Sequence, residues 1–328
     1  MNRRVAIVTT GGTIASKALT DGGDVTALEG AGYFKHLVAK HAPRLEVEVI
    51  DHSTVSSFAL DLADVASLRE RTRQLLERAD IDGIVITHGT DTMEETAYLL
   101  DITLDSTKPV VLTGAQRAAD HPFPDGPGNL ISAVRVAADP ASNHLGTLIV
   151  FDDEIHAARD VTKLHTSRVG TFTSSEHGKL GEVDGTTVNI SRRVRRWAPL
   201  SIGTLTARVE LLKMTLGTSS ILIDASINKG VDGLVVEAFG RGNVNAEVFS
   251  AIERALRAGL LVMISSRCPQ GRVLPIYGKS GGRGLEREGV FFGGDITGPK
   301  ARMLMIAILS GRKLTQAEFN SLAAEYAN

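Results

Sequence analysis

Short runs of apolar residues alternate along this chain with longer segments in which apolar positions recur at helical spacing. The runs are Arg4 to Thr9, Leu45 to Ile50, Gly83 to Thr87, Pro109 to Thr113 and Gly146 to Phe151. Several have no polar face (VAIV, GIVIT, VVLT, LIVF), as expected of strands covered by helices on both sides in a largely parallel sheet. Between them, Leu62 to Arg78 places Leu62, Val65, Ala66, Leu68, Leu75 and Leu76 on one stripe. Arg69, Glu70, Arg71, Arg73 and Glu77 supply its solvated face, which predicts a helix. Thr92 to Thr103 and Leu130 to Ala138 predict two more.

After Asp152 the pattern changes. Within Glu182 to Ile190, Asp184-Gly185 stands between β-formers and predicts a hairpin that extends the first sheet antiparallel. Ser191 to Thr206 has no clear period and reads as a linker. The alternation then resumes, with strands at Ala207 to Leu212, Gly233 to Phe239, Leu260 to Ser265 and Val290 to Phe292. Helices are predicted at Ser219 to Lys229 and Ala246 to Ala258, with Thr297 capping one through Leu309 and Thr315 capping a last one to Tyr326. The expected architecture is α/β in two domains: a larger N-terminal, mostly parallel sheet with a hairpin extension over 1–190, a linker over 191–206, and a smaller parallel α/β domain over 207–328. A length of 328 residues fits two domains at roughly 150 residues each.

Composition narrows the function. Hydrophobic residues at 43% and charged residues at 23% belong to a globular chain. Thirty-six Lys plus Arg against 38 Asp plus Glu leave a formal charge of -2, which gives no general attraction to nucleic acid. Four arginines beside Trp197 in the linker (Arg192, Arg193, Arg195, Arg196) form the one local basic cluster, and the balanced charge favours reading it as an interdomain crossing. The single Cys268 rules out an intramolecular disulfide and a Cys-rich zinc site. The apolar stretch Val5 to Val8 is too short for a signal core or a membrane span, so the expectation is a cytoplasmic protein without membrane contact. A mature secreted chain with its signal removed would begin in a similar way, although Met1 points mildly against that.

Three clusters carry candidate chemistry. Thr9-Thr10-Gly11-Gly12-Thr13-Ile14-Ala15-Ser16 follows the first strand, where paired glycines let the backbone turn and aim N–H groups at an anion or oxyanion. A structural turn or a weak phosphate loop would look similar, but neither the Walker nor the dinucleotide spacing is present. Thr87-His88-Gly89-Thr90-Asp91-Thr92 ends another buried strand, with Glu94 and Glu95 in the first turn of the helix that follows. Capping by Asp91 or Thr92 explains one or two of these residues and not the whole set. His88, just inside the strand, is read as structural. In Arg159-Asp160-Val161-Thr162-Lys163, a lysine near buried hydroxyls could act as a general base, although a surface lysine is the plainer reading.

The segments TTGGTIAS and DGIVITHGTDTMEETAYLLD resemble the two signatures of the bacterial-type L-asparaginases and glutaminase-asparaginases. The resemblance continues through KPVVLTGAQR, DGPGNL, ARDVTK and, more loosely, VDGLVVEAFGRGN and SSRCPQG, and so spans essentially the whole chain. It implies an amidohydrolase of two α/β domains, a homo-oligomer (a tetramer of close dimers, or a dimer), with no metal or organic cofactor. Carried over by motif, Thr13 is the nucleophile, and Thr90, Asp91 and Lys163 move protons and activate water. Ser56, or the adjacent Ser57, holds the substrate α-carboxylate, and Asp91 also takes the α-ammonium. Backbone at Ala115 holds the side-chain amide, and N–H groups at Gly12 and Gly89 stabilise the oxyanion. Asn243 matches a residue that reaches the site of a neighbouring subunit. The substrate implied is L-asparagine, or L-glutamine or another small amide.

The chain departs from the pattern twice. Many members carry a tyrosine in the loop after the first signature, and Lys17 to Glu29 contains none; Tyr33 falls in the following helix, and Tyr277 of a partner subunit is the substitute considered. The acidic residue that some secreted members place near the α-ammonium has no secure counterpart in Gly271 to Gly289, where Glu286 is possible. Two other readings stay open: an amino-acid-binding regulatory protein that has lost efficient turnover, and a phosphate or nucleotide binder using Gly11-Gly12.

Overall fold

The computed structural model describes residues 3–18, 25–27, 30–278 and 281–327, and the chain divides into two compact units, Met1–Ala198 and Pro199–Asn328. The first unit begins β1 (Arg3–Thr9), β2 (Ser16–Ala18), β3 (Val25–Ala27), α1 (Gly30–His41), β4 (Leu45–Asp51), α2 (Leu62–Leu76), β5 (Gly83–Thr87) and α3 (Met93–Thr103). It continues β6 (Val110–Thr113), α4 (Gly126–Ala138), β7 (Thr147–Phe151), β8 (Glu154–Ala157), β9 (Thr162–Lys163), β10 (Phe172–Thr173), β11 (Gly181–Asp184) and β12 (Thr187–Ile190).

Eight of these strands form one sheet in the order β12-β11-β8-β7-β6-β5-β1-β4. From β4 to β7 every pairing is parallel, with Val5 opposite Val47 on one side and Gly83 on the other. From β7 onward the pairings are antiparallel, through β8 and the predicted hairpin β11–β12. β8 carries no sequence expectation: Glu154 to Ala157 is four residues long and follows β7 after a two-residue turn at Asp152 and Asp153, both at positive φ. The apolar runs behave as their composition requires. Val5, Ile7, Val85 and Val111 face α1 and α4, where Phe34, Val38, Leu130 and Val134 meet them. The alternate residues Ala6, Val8, Ile84 and Ile86 face α2 and α3 through Leu68, Leu75, Ala97 and Leu100. At about 25 cal/mol per Å2 of apolar surface removed from water, these two layers dominate the stability of the unit.

The chain passes from β1 to β4 on one side and then returns to β5 on the other, so direction reverses between β1 and β5. In an open parallel sheet, the crevice beyond the carboxyl ends of the strands at such a reversal is where ligands bind. Thr10 to Thr13 and His88 to Asp91 lie immediately after these two strands.

The residues 191–198 have no regular structure, but their arginines tie back to the first unit. Arg192 reaches Lys179 O at 3.1 Å and Asp160, Arg193 reaches Asn143 O at 3.1 Å and Ala141 O at 3.0 Å, and Arg196 reaches Ser106 O at 3.2 Å. Arg195 stacks on Trp197 at 3.6 Å. The basic cluster is thus engaged within the unit by carbonyls, a carboxylate and a ring.

The second unit contains β13 (Val209–Lys213), α5 (Ile221–Lys229), β14 (Gly233–Ala238), α6 (Ala246–Arg257), β15 (Leu261–Ser266), α7 (Gly282–Arg287), β16 (Phe291–Phe292), α8 (Gly298–Leu309) and α9 (Gln316–Ala327). Its parallel sheet runs β13-β14-β15-β16. Val236, Val262 and Ile264 pack on Val248 and Ile252 of α6. Thr315 forms a reciprocal cap with Glu318, as expected, with Thr315 N donating to the carboxylate at 2.8 Å. Thr297 does not cap: it stands at the N-cap position of α8, yet its hydroxyl is buried without a partner. The Glu237 carboxylate packs against Gly298, the first residue of that helix, where the positive helix end favours an anion.

Candidate active site

β1 ends at Thr9, and Thr10 fastens the following turn to β5: its N–H and its hydroxyl both donate to Thr87 O, at 3.1 and 2.8 Å. Gly11 and Gly12 then turn at φ of +96° and +84°, a region where a side chain would be strained. Thr13 begins a short 3-10 turn, Thr13–Ala15, and is half-buried; among the described residues its hydroxyl has no hydrogen-bond partner.

A Cβ on Gly12 would fall 2.7 Å from Gly89 N, so the residue before Thr13 abuts the residue before Thr90. A Cβ on Gly89 would in turn fall 2.5 Å from Ser57 Oγ. These contacts bring Gly12, Gly89 and Ser57 into one stack. The loop after β6 joins it, because a Cβ on Gly126 would meet both Ile14 Cγ1 at 2.9 Å and Ala115 Cβ at 3.3 Å.

The cluster of Thr90, Asp91 and Lys163 is assembled from distant parts of the chain. Lys163 Nζ donates to Thr90 Oγ1 at 2.8 Å and to Asp91 Oδ1 at 2.7 Å, with 16% of the lysine side chain and 55% of the Asp91 side chain exposed. Thr90 is buried, so its hydroxyl is held at a dry strand end while Asp91 opens to water. A carboxylate, an ammonium and a hydroxyl in line can pass a proton without large movement.

The two serine candidates are placed differently. Ser57 is buried; its hydroxyl accepts a long bond from Asp91 N at 3.3 Å, and its carbonyl accepts from Thr92 Oγ1 at 3.0 Å. Thr92 therefore uses its hydroxyl here rather than to cap α3, where no side-chain cap forms. Ser56 is exposed, and its hydroxyl makes no capping bond. His88 is fully buried; Nδ1 lies 2.7 Å from Gly89 O, and burial pushes its pKa down, so the ring is neutral. An unprotonated Nε2 aimed at a dry interior suits a structural imidazole, in keeping with its reading from sequence.

Sequence reasoning passed over two groups that shape the site. Asp125 stands at the start of α4 but caps nothing there; its carboxylate accepts from Gln116 N at 2.9 Å and Arg117 N at 2.8 Å. Asn129, buried on α4, donates to Gly114 O at 3.0 Å and accepts from Asp152 N at 2.9 Å, so one side chain bridges the ends of β6 and β7. The DGPGNL segment was the available signal, with an acid and an amide one helical turn apart beside a glycine-rich strand end. Together they fix the backbone on both sides of Ala115.

The remaining expectations fall elsewhere. Asn243 lies in the second unit, where its Oδ1 accepts from Gly282 N at 3.3 Å. Glu286 is exposed on α7 and Tyr277 is 60% exposed. Tyr33 sits on α1 with its ring 5.6 Å from that of Phe34, and burial raises its pKa. Most of Lys17 to Glu29, the loop without a tyrosine, lies outside the described residues.

Comparison with known proteins agrees with these motifs along the whole length. The protein-family model described as Asparaginase, N-terminal matches residues 4–196, and that described as Glutaminase/Asparaginase C-terminal domain matches residues 208–322. The chain is 32% identical to an L-asparaginase of Bacillus licheniformis over 314 residues, covering 95% of this chain and 97% of that one. It is 36% identical to L-asparaginase 2 of Escherichia coli (strain K12) over 279 residues, covering 81% of this chain and 78% of the relative. It is also 33% identical to a glutamyl-tRNA(Gln) amidotransferase component of Methanosarcina barkeri over 304 residues, covering 89% of this chain and 70% of the relative. With two domain matches in sequence and full-length relatives above 30% identity, the chain belongs to the asparaginase family of amidohydrolases.

Proposed function

We propose that this protein hydrolyses L-asparagine to L-aspartate and ammonia through an acyl-enzyme on Thr13. The observation that carries the reading is the Lys163 ammonium shared between Thr90 Oγ1 at 2.8 Å and Asp91 Oδ1 at 2.7 Å, at the strand reversal next to the Gly11-Gly12-Thr13 turn. A binding protein needs charges for an amino acid; it has no use for a hydroxyl held on a lysine in this way, beside a second hydroxyl on Thr13.

In the proposed reaction Thr13 Oγ attacks the side-chain amide carbon, and its proton passes to the amide nitrogen, which leaves as ammonia. Water then adds to the ester, giving one proton back to Thr13 Oγ as aspartate departs, with Thr90, Lys163 and Asp91 relaying the proton. Backbone N–H groups around Gly12 and Gly89 stabilise the oxyanion in both steps. Ser56 receives the α-carboxylate, Asp91 the α-ammonium and the backbone at Ala115 the amide. Asn243 completes the site of a neighbouring subunit in a homo-oligomer, and no metal or organic cofactor takes part. The names of the relatives support asparagine as the substrate, with glutamine as the alternative amide.

The test is ammonia release from asparagine, glutamine and simple amides by the wild type, Thr13→Ala and Thr90→Val. We expect asparagine turnover that falls at least about 10³-fold in each variant, equivalent to roughly 4 kcal/mol of transition-state stabilisation. A wild type that binds asparagine and releases no ammonia would sink the activity. Full turnover in Thr90→Val would sink the mechanism while leaving the activity standing. Activity lost on adding excess chelator would contradict the cofactor-free reading.

A further inference from the structure

We propose that Glu94 is the positioning residue for Lys163, an assignment that rests on the proton-relay role proposed for that lysine. Lys163 lies on β9, which has two residues and, among the described residues, pairs only with β10, apart from the eight-stranded sheet. An element that short does not fix a backbone by its own ladder. The backbone N–H of Lys163 is not spent on β10: it donates to the Glu94 carboxylate at 2.9 Å. The next residue, Leu164, is the one that returns to the strand partner, with its N–H 2.8 Å from Thr171 O.

Glu94 stands in the first turn of α3, three residues beyond Asp91, and the positive end of that helix favours its carboxylate there. One short segment therefore grips the lysine at both ends. Thr90 and Asp91 hold Nζ, while Glu94 holds the backbone nitrogen from which the side chain springs. The helix that begins after the catalytic strand end carries its own clamp for a lysine 69 residues later in the chain. A side-chain oxygen within hydrogen-bond reach of the backbone N–H fixes the point from which a long, flexible side chain springs. The helix-dipole reading of Glu94 and Glu95 accounts for an acid at this turn but not for which atom it touches.

Two variants separate reach from charge. Glu94→Gln keeps the chain length and an acceptor oxygen but removes the charge; Glu94→Asp keeps the charge and the favourable helix position but falls one methylene short. In Glu94→Asp we expect kcat for asparagine to fall on the order of 10²-fold, the effect of displacing a reacting group by about 1 Å, with KM changed less than about twofold. Glu94→Gln should keep kcat within about threefold of wild type. The reverse order, with Asp active and Gln inactive, would overturn the assignment, as would equal activity in both or a loss confined to KM. Trace acetylation of Lys163 with acetic anhydride, read by peptide mass, gives a readout that needs no turnover. The lysine should react severalfold faster in Glu94→Asp than in wild type and unchanged in Glu94→Gln. No change in either variant would overturn the positioning role. A wild type without amidase activity, combined with the expected labelling, would leave Glu94 holding Lys163 and place the failure on the proposed function.

Discussion

Gly12 packs so closely on Gly89 that a Cβ added to the first would come within 2.7 Å of the backbone nitrogen of the second. Neither partner is a flexible side chain that could move aside, and Gly12 is also at a φ of +84°. Gly12→Ala should therefore strain the turn and push Thr13 away from Thr90. We expect a loss of about 1–3 kcal/mol in stability, measured by urea unfolding. Ammonia release should fall on the order of 10²-fold. Wild-type activity in this variant would mean that the two strand ends do not need to touch.

Ser56 and Ser57 should separate by kinetic signature. Ser57→Ala removes the hydroxyl beneath Asp91 N and should cost about 1 kcal/mol of stability. Ser56→Ala removes an exposed hydroxyl that makes no capping bond, so its effect should be a raised KM for asparagine with stability unchanged. If Ser57→Ala alone raised KM, the carboxylate would belong to Ser57.

Acid should weaken the fold through two buried imidazoles. Burial pushes His156 down to about 4 from an ordinary 6.5, against the opposing pull of Glu154, and pushes His88 down as well. Both rings are neutral when folded and take up protons more readily when unfolded, so their contribution is complete above pH 6.5. That of His156 declines as pH falls from 6.5 through about 4 and accounts for roughly 3 kcal/mol at the low end, and that of His88 declines in the same direction. Unfolding free energies across this range should fall with pH in the wild type and more shallowly in His156→Gln. Parallel curves would refute the assignment.

Asn129→Leu keeps the branched outline of the side chain but removes its bonds to Gly114 O and Asp152 N, and leaves the buried Gly114 carbonyl unpaired while the exposed Asp152 turns to water. A destabilisation of about 1–3 kcal/mol is expected, as for one unsatisfied buried group. Amide selectivity should relax with it, because the backbone beside Ala115 loses one support. The asparagine-to-glutamine kcat/KM ratio and a thermal melt together check this; a melt unchanged from wild type would show that the bridge contributes little.

Much of this arrangement is legible in the sequence because burial on both faces leaves a strong signature. GIVIT reads as a central strand, and the polar cluster that follows it lies at the carboxyl end of that strand. Lys163 is a different case. It lies 73 residues after Thr90 on a strand too short to show any period, so only the folded chain brings the two together. The cap at Thr315 is legible in sequence, whereas those at Thr92 and Thr297 do not form. Thr92 turns to Ser57, which is not adjacent in sequence, and Thr297 leaves its hydroxyl buried without a partner among the described residues. Asn129 was hidden for a similar reason, since a polar residue on an otherwise buried helix face looks like noise until the strand ends it joins are known.

The arginine ties of residues 191–198 decide where this protein can be cut. A truncation after Ile190, where β12 ends, would discard Arg192, Arg193 and Arg196 and leave bare the carbonyls they cover at Lys179, Ala141, Asn143 and Ser106. A truncation after Ala198 retains every one of those bonds within the fragment. An isolated first unit intended for expression therefore has a natural end that secondary structure alone would miss by eight residues.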